Sequence, residues 1–308
     1  MRRVLLTTAA ALAACGRPPA PAPEPQRLLI ATGPAGATYL RLGEALARIY
    51  DRRLPHVRAR AEPTEGSVSN VKALQERRAE LAFAQANVAY EAYTKRGALR
   101  AVAALYTNAL QIVARRDGPV RDVAGLARRR VGVGPAGSGT ELAADIVMGA
   151  HGLATPRVDR RSLAFAEATA GVAAGALDAA FVMASVPTDA VARASGGAGL
   201  RLLSVDARVM AQIRALYPFY RPIVIPAGTY PWQPGDVHTL GVDNVLVCRA
   251  DLDDDLVYRL TEVLLDSLPE LARAHPSAGT VDPERAPDAP IPLHPGAKRF
   301  YRTREILR

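Results

Sequence analysis

Residues 131–142 read Val-Gly-Val-Gly-Pro-Ala-Gly-Ser-Gly-Thr-Glu-Leu, which predicts a short buried strand, a glycine-rich turn and the start of a helix. Ser138 and Glu141 have the spacing of a capping box, which places the first helical turn at Ser138. The first backbone N–H groups of a helix lack intrahelical partners and lie at the positive end of its dipole. This turn is therefore a candidate anion-binding site.

Three more specific interpretations of this turn are disfavoured by the residues present. Gly132–Gly137 matches the dinucleotide fingerprint, but Gly132 falls inside the strand and Pro135 stiffens the turn. Gly134–Gly139 has the Walker spacing but lacks the lysine that would reach a phosphate. Ser138 is not in a Gly-x-Ser-x-Gly motif, and no histidine stands out as its partner. A capped helix after a tight turn is the plainer interpretation.

The N-terminal residues have the pattern of a bacterial lipoprotein signal. A basic start at Arg2 and Arg3 precedes an apolar run, Val4–Ala14, that is too short to span a bilayer. Leu12–Cys15 resembles a lipobox, so residues 1–15 are predicted to be a signal peptide whose Cys15 is lipidated. A plain signal peptide with an incidental cysteine is the alternative. We expect an extracytoplasmic protein, periplasmic or at the cell surface, held by lipid to a membrane whose identity stays open.

Composition limits the remaining possibilities. Residues 16–26 contain five prolines, which favours a semi-rigid tether. Removing residues 1–14 takes away Arg2 and Arg3 and lowers the formal net charge from +9 to +7. The arginines are scattered and aromatic residues make up only 5%, so nucleic-acid binding is not expected. Cys248 lies in an apolar stretch and is predicted to be a core residue without a disulfide.

Apolar strands alternate with amphipathic helices after Arg27, which predicts an α/β fold. The length and the 49% hydrophobic content suit two lobes. Residues 101–105 and 110–115 read as two apolar runs with a polar joint at 106–108, and residues 217–237 read as a long irregular segment. The second of the two runs and residues 239–248 are predicted to connect the lobes. Lobe I then comprises 27–112 and 239–308, and lobe II comprises 113–238.

Six segments carry a resemblance to a known family. In chain order, they are the pair Thr38-Tyr39 after the first turn, the Glu-Gly-Ser helix start Glu65–Val71, the apolar strand and following helix Leu81–Tyr93, the glycine turn Gly134–Glu141, the Ile-Pro-Ala-Gly-Thr-Tyr segment Ile225–Tyr230 and the Ile-Pro-Leu-His-Pro-Gly segment Ile291–Gly296. In this order they resemble the TAXI family of solute receptors. Those proteins serve tripartite ATP-independent periplasmic (TRAP) transporters.

The resemblance implies a type II periplasmic-binding-protein fold, with two α/β lobes joined by two hinge strands. It also implies a monomeric receptor that binds glutamate, glutamine or a related dicarboxylate and delivers it to a TRAP permease driven by an ion gradient. The chain departs from the family where Pro34, Ala35, Ala37 and Glu65 replace smaller residues. An inward-facing Glu65 would disfavour an anionic ligand.

Carried onto this chain, the family pattern implies a cleft lined by both lobes, with helix N-termini and neutral donors holding a carboxylate. Its predicted ligand-binding residues are Thr38, Tyr39, Ser67, Asn70, Gln85, Tyr90, Gly137, Ser138, Gly139, Thr140, Ser185 and Pro187.

Two other classes of function stay open. An exported sensor would use the same domain to report a ligand to a membrane partner. A hydrolase using Ser138 is the weaker alternative, because the five histidines are scattered and no metal-ligand pair has helical spacing. We therefore predict no catalytic residue, no cofactor and no metal.

Overall fold

The computed structural model describes residues 25–34, 37–153, 157–194 and 199–307. The predicted signal peptide, Cys15, most of the tether and Ala35 lie outside these residues. In the described chain the strands are β1 (Gln26–Ala31), β2 (Val57–Glu62), β3 (Leu81–Gln85), β4 (Leu99–Arg115), β5 (Arg130–Gly132), β6 (Asp159–Arg161), β7 (Ala179–Ala184), β8 (Leu200–Leu203), β9 (Tyr220–Ile225) and β10 (Val237–Arg249). The helices are α1 (Thr38–Arg53), α2 (Ser67–Gln75), α3 (Ala86–Arg96), α4 (Gly139–Ala150), α5 (Phe165–Ala173), α6 (Asp189–Arg193), α7 (Ala207–Leu216), α8 (Asp254–Asp266), α9 (Leu268–Ala274) and α10 (Pro295–Thr303).

Two long strands join two groups of parallel strands. The strand order is β2-β1-β3-β10-β4-β7-β5-β6, with β8 paired to β4 and β9 paired to β10. From Leu99 to Ala109, β4 pairs antiparallel with β10, and from Ala109 to Arg115 it pairs with β7 and β8. In the same way β10 pairs with β9 at one end and with β3 at the other. The predicted lobes therefore share β4 and β10, while their boundaries at 112/113 and 238/239 stay predictions.

Apolar strands are covered by helices in each half. All five residues of β3 are buried, as expected for a strand with both faces covered. One core cluster packs α1, α8 and α10 against β1 and β3, and a second packs α5 against β7 and β9. Cys248 is buried in β10, as predicted for a core residue, and its thiol is free within the described part of the chain. Parallel strands with helices on their faces direct their carboxyl ends, and the helix N-termini that follow, to one edge.

Two sequence-based predictions of secondary structure were wrong. Residues 101–105 and 110–115 belong to one strand, β4, because the polar joint finds partners in β10: Asn108 Nδ2 donates to Asn244 Oδ1 at 3.1 Å and Thr107 Oγ1 donates to Asp243 Oδ1 at 2.6 Å. The segment 217–237 is not irregular throughout, since it contains β9. Pro222 is tolerated there because β9 lies on an edge and pairs only with β10.

None of the helices within the described ranges has the length and apolar content that a membrane span needs.

Candidate functional site

A cavity of about 410 Å³ lies where the two halves meet. It falls within the size range of small-molecule sites. The N-cap or first residue of six helices contributes to its wall, and these residues are Thr38 of α1, Ser67 of α2, Gln85 before α3, Gly139 of α4, Phe165 of α5 and Asp189 of α6. The fold thus brings backbone N–H groups from both halves to one space.

Five of these helix starts carry no side-chain cap. The N-cap residues make no capping hydrogen bond to α1, α2, α3, α5 and α6, and they are Ala37, Gly66, Gln85, Ala164 and Thr188. The first backbone N–H groups of an uncapped helix have no intrahelical acceptor and lie at the positive end of the helix dipole. An anionic group in the cavity would satisfy them without a buried cation.

The start of α4 is different, because its own side chains cap it. Ser138 Oγ accepts from Glu141 N at 3.1 Å, and a Glu141 carboxylate oxygen accepts from Gly137 N at 2.8 Å. Ser138 is therefore confirmed as the N-cap, although Glu141 bonds Gly137 N in place of the Ser138 N–H that a capping box would use. The glycine turn is not a free anion site. Gly137 does not line the cavity, because its N–H is turned to Glu141 and its α-carbon faces Ser69, with an added Cβ 3.8 Å from Ser69 Oγ.

Hydroxyl groups supply further donors from α4. Thr140 Oγ1 accepts from Met183 N at 3.3 Å, and Ser138 Oγ accepts the cap bond. A hydroxyl that accepts a backbone N–H still has its own proton to donate. Ser138, Gly139 and Thr140 all line the cavity.

The side of the cavity formed by α1 and α2 is held by hydrogen bonds to β10 and β3. Tyr39 OH donates to Asn244 Oδ1 of β10, and Ser67 Oγ accepts from Gln85 N at 3.0 Å. Burial raises the pKa of Tyr39 far above its usual range, with a small opposing effect from Ser67, so the phenol keeps its proton. Thr38 lines the cavity and contacts His275, whose Nε2 lies 3.4 Å from Thr38 Oγ1.

Ser185 and Pro187 line the opposite side, before α6. The Ser185 carbonyl accepts from Thr188 Oγ1 at 2.7 Å, and Gln111 Nε2 of β4 donates to the same hydroxyl at 2.8 Å. Thr188 N donates to Tyr230 OH at 2.8 Å. This network fixes the α6 end of the cavity to a long strand.

Two more predicted ligand residues lie away from the cavity wall. Asn70 is fully buried, and its Nδ2 donates to the carbonyls of Thr32 and Phe83, at 2.5 and 2.7 Å. These bonds connect the end of β1 to β3. Tyr90 is 40% exposed and packs on Phe219 with ring centroids 5.6 Å apart. Asn70 therefore has a structural role, and Tyr90 belongs to a surface aromatic cluster.

The cavity also contains residues that the sequence did not indicate. They are polar or charged residues from β4, α1, α5, α6 and the α9 end, together with apolar residues of α5, β7 and α6: Arg41, Tyr106, Asn108, Ala164, Phe165, Ala166, Thr169, Ala170, Met183, Ala184, Thr188, Asp189, Ala190, Arg193, Ala194 and His275. The polar joint at 106–108 was the available signal, because polar side chains inside a buried strand need partners or a ligand.

The two halves are in contact across the cavity. A Cβ added at Gly66 would lie 3.9 Å from Ser138 Cβ, and one added at Gly139 would lie 2.3 Å from Gln85 Oε1. Gln85 Oε1 is buried and has no hydrogen-bond partner among the described residues. An unpaired buried acceptor costs about 1–3 kcal/mol, which disfavours this contact between the halves unless binding of a ligand offsets the cost.

Charged side chains lie only at the exposed rim of the cavity, as far as the described residues show. The cavity wall contains Arg41, Arg193, Glu65 and Asp189, and all four are exposed. Arg41 Nη2 lies 3.7 Å from Asp189 Oδ2 across the two halves, and Arg193 lies 3.1 Å from the same carboxylate. His275 adds no charge at neutral pH, since burial and Arg41 lower its pKa more than Asp189 raises it. The charges of these two arginines and two carboxylates therefore sum to zero.

Arg41→Gln is expected to weaken carboxylate binding by less than about fivefold, because exposed ion pairs contribute roughly 0–1 kcal/mol. The effect should shrink further in 0.5 M salt. Titration calorimetry measures it, with Arg161→Gln, which breaks an exposed pair with Asp159 away from the cavity, as the matched control. A loss of about 100-fold would mean that Arg41 binds the ligand directly and that neutral donors do not suffice.

In the described part of the chain, no group of three or more His, Cys, Asp or Glu side chains is arranged to hold a metal ion. The absence of a metal or cofactor stays a prediction.

The NMT1-like family matches the chain over residues 30–304. The chain belongs to the NMT1-like family. This NMT1-like chain is also similar in structure to PhnD1 from Prochlorococcus marinus with methylphosphonate bound, at TM-score 0.56 and 12% identity over 92% of this chain and 97% of that one. A putative L-cystine ABC transporter from Listeria monocytogenes matches at TM-score 0.55 and 13% identity, covering 83% and 97%. The two-lobed type II periplasmic-binding-protein fold is confirmed.

The resemblance to TAXI receptors was wrong, because the matching family is NMT1-like and the similar structures include the putative L-cystine ABC transporter. The six segments that suggested it are mostly joints between a strand and a helix at the cavity edge. A two-lobed fold of this kind forms such joints whatever transporter it serves. The segments therefore indicate the fold, and they support neither a TRAP permease nor glutamate.

Proposed function

We propose that this protein is an extracytoplasmic solute-binding protein that holds a small carboxylate between its lobes and delivers it to a membrane transporter. One observation carries the proposal: the uncapped N-termini of α1, α2, α3 and α5, from both halves, meet at one cavity, and no buried cation lines it among the described residues. Neutral donors of this kind suit a single carboxylate, which they bind strongly through charge-assisted hydrogen bonds.

Catalysis is not part of the proposal. Ser138 Oγ is occupied as the cap acceptor of Glu141 N, and no histidine contacts it among the described residues. A serine without a base within hydrogen-bond reach is a weak nucleophile. We expect no hydrolysis of simple esters, measured as release of p-nitrophenol from its acetate above the rate in buffer.

A thermal-shift panel tests the ligand class. The protein is unfolded and refolded to remove carried ligand, and then melted with monocarboxylates, dicarboxylates, amino acids, methylphosphonate, alkanesulfonates, sugars and nucleotides. A ligand at about 100 times its Kd stabilises by roughly 2.7 kcal/mol, which raises the Tm by several degrees. Shifts with carboxylates support the proposal, whereas shifts with only phosphonates, sugars or nucleotides would contradict it.

The anchor and the transporter are tested in cells. We propose that Cys15 carries lipid, so labelling of the full chain with a palmitate analogue should be lost in Cys15→Ser. The Listeria likeness supports an ABC-class transporter as the partner. Crosslinking in host membranes should then recover an ABC permease subunit. Recovery of a kinase or a chemoreceptor instead would favour the sensor hypothesis.

A further inference from the structure

We infer that the ligand is amphipathic, with one carboxylate and an unbranched or aromatic hydrocarbon part of about four to seven carbons. This inference rests on the proposed function and specifies its ligand. The wall of the cavity is divided, since most of its polar side chains come from α1, from β4 and from the starts of α2, α3 and α4, while α5 and β7 contribute mainly carbon. The charged residues of α6, Asp189 and Arg193, lie at the exposed rim.

The apolar side is built from small residues around two large ones. Ala166 and Ala170 of α5 lie on the wall with Phe165. Ala190 of α6, Ala194 directly after α6 and Met183 of β7 complete it. The polar residue within this side, Thr169, is turned away: its hydroxyl is engaged with the carbonyls of Phe165 and Ala190, at 2.8 and 2.9 Å. The Thr169 side chain therefore has no free proton to donate to a second carboxylate of the ligand.

The charged residues of the wall also favour a ligand with a single carboxylate. The charged residues of the wall are confined to its exposed rim and balance one another, with Arg41 and Arg193 both near Asp189. A second carboxylate would have to lose its hydration against carbon, with no buried cation beside it among the described residues. A hydrocarbon chain in the same place gains from leaving water.

The volume of the cavity indicates the size of the ligand. A cavity of about 410 Å³ exceeds the needs of acetate, so a tail can fill the apolar side. Each buried methylene contributes about 0.8 kcal/mol, which corresponds to roughly a fourfold gain in affinity. Binding should therefore strengthen along the series propanoate, butanoate, pentanoate and hexanoate.

Titration calorimetry of the refolded protein with hexanoate and adipate tests the inference. Both acids have six carbons, and adipate replaces the terminal methyl with a second carboxylate. We expect hexanoate to bind at least tenfold more tightly than adipate, and Kd to fall about fourfold per added methylene. Adipate binding as tightly as hexanoate would overturn this inference and leave the proposed function standing. Failure of every mono- and dicarboxylate to bind would overturn both.

Phe165→Ala locates the hydrocarbon part. Affinity for hexanoate should fall about tenfold because apolar contact is lost, while affinity for acetate should be unchanged. Leu163→Ala is the matched control, since Leu163 packs on the same core cluster but does not line the cavity. Equal losses for acetate and hexanoate in Phe165→Ala would mean general damage to the site and would overturn the placement of the tail on α5.

Discussion

Gln85→Glu is expected to weaken binding of a carboxylate by at least about 100-fold. Gln85 lines the cavity, is 4% exposed and has its side-chain oxygen buried against Gly139 without a partner among the described residues. A glutamate at this position places a negative charge beside the anion, and two like charges about 5 Å apart repel by about 3 kcal/mol at an effective dielectric constant of 20. It also offers the uncapped helix N-termini an internal carboxylate that competes with the ligand.

Calorimetry with hexanoate at neutral pH measures this loss. Gln212→Glu, on the exposed face of α7, makes the same change in net charge away from the cavity and should bind as the unaltered protein does. Lowering the pH should restore part of the affinity of Gln85→Glu as the new carboxyl takes up a proton. Unchanged affinity in Gln85→Glu would contradict the placement of an anion near Gln85.

Gly139→Ala is expected to weaken binding by about 10- to 100-fold while the Tm of the ligand-free protein stays nearly unchanged. The added methyl would lie 2.3 Å from Gln85 Oε1 and 2.4 Å from Gln85 Cδ. The amide must then move into the ligand's space, or the lobes must stay apart. Forcing an extra methyl into a packed contact costs about 1–3 kcal/mol. When the lobes are apart, the added methyl does not contact Gln85. The substitution therefore makes closure of the lobes less favourable without destabilising the open protein.

Gly149→Ala is the matched control for this substitution. Gly149 lies in the same helix, α4, and an added Cβ would have no atom within 4 Å. Gly149→Ala should raise the free energy of unfolding by up to about 1 kcal/mol, because alanine has a higher helix propensity than glycine, and should leave ligand affinity unchanged. If Gly139→Ala bound hexanoate as tightly as Gly149→Ala does, closure at this contact would not be needed for binding.

The fold was predictable because its signals are local. Ser138 and Glu141 lie within one turn, and Ser138 caps α4 in the structure where the spacing places the helix start. Strands that feed helix starts at Thr38, Ser67 and Gly139 gave the α/β class and the edge at which a site forms. Short-range patterns of this kind survive folding because the partners are already adjacent in the chain.

The site was less predictable because its contacts join distant parts of the chain. Asn70 has the composition of a ligand-binding residue, but it holds β1 to β3 through Thr32 and Phe83. Tyr106 looked like part of a joint between two strands and instead lines the cavity from within one. The apolar side, with Phe165 and Met183, has no motif, since its residues match those of any buried core. These placements depend on which strands become neighbours.

Small-angle X-ray scattering of the refolded protein, alone and saturated with hexanoate or with the carboxylate that raises the Tm most, tests most directly whether the lobes close on the ligand. We predict a smaller radius of gyration with ligand, and a reduced change in Gly139→Ala. A ligand that binds by calorimetry but leaves the scattering curve unchanged would contradict binding between the lobes, and with it the assignment of the cavity as the ligand site.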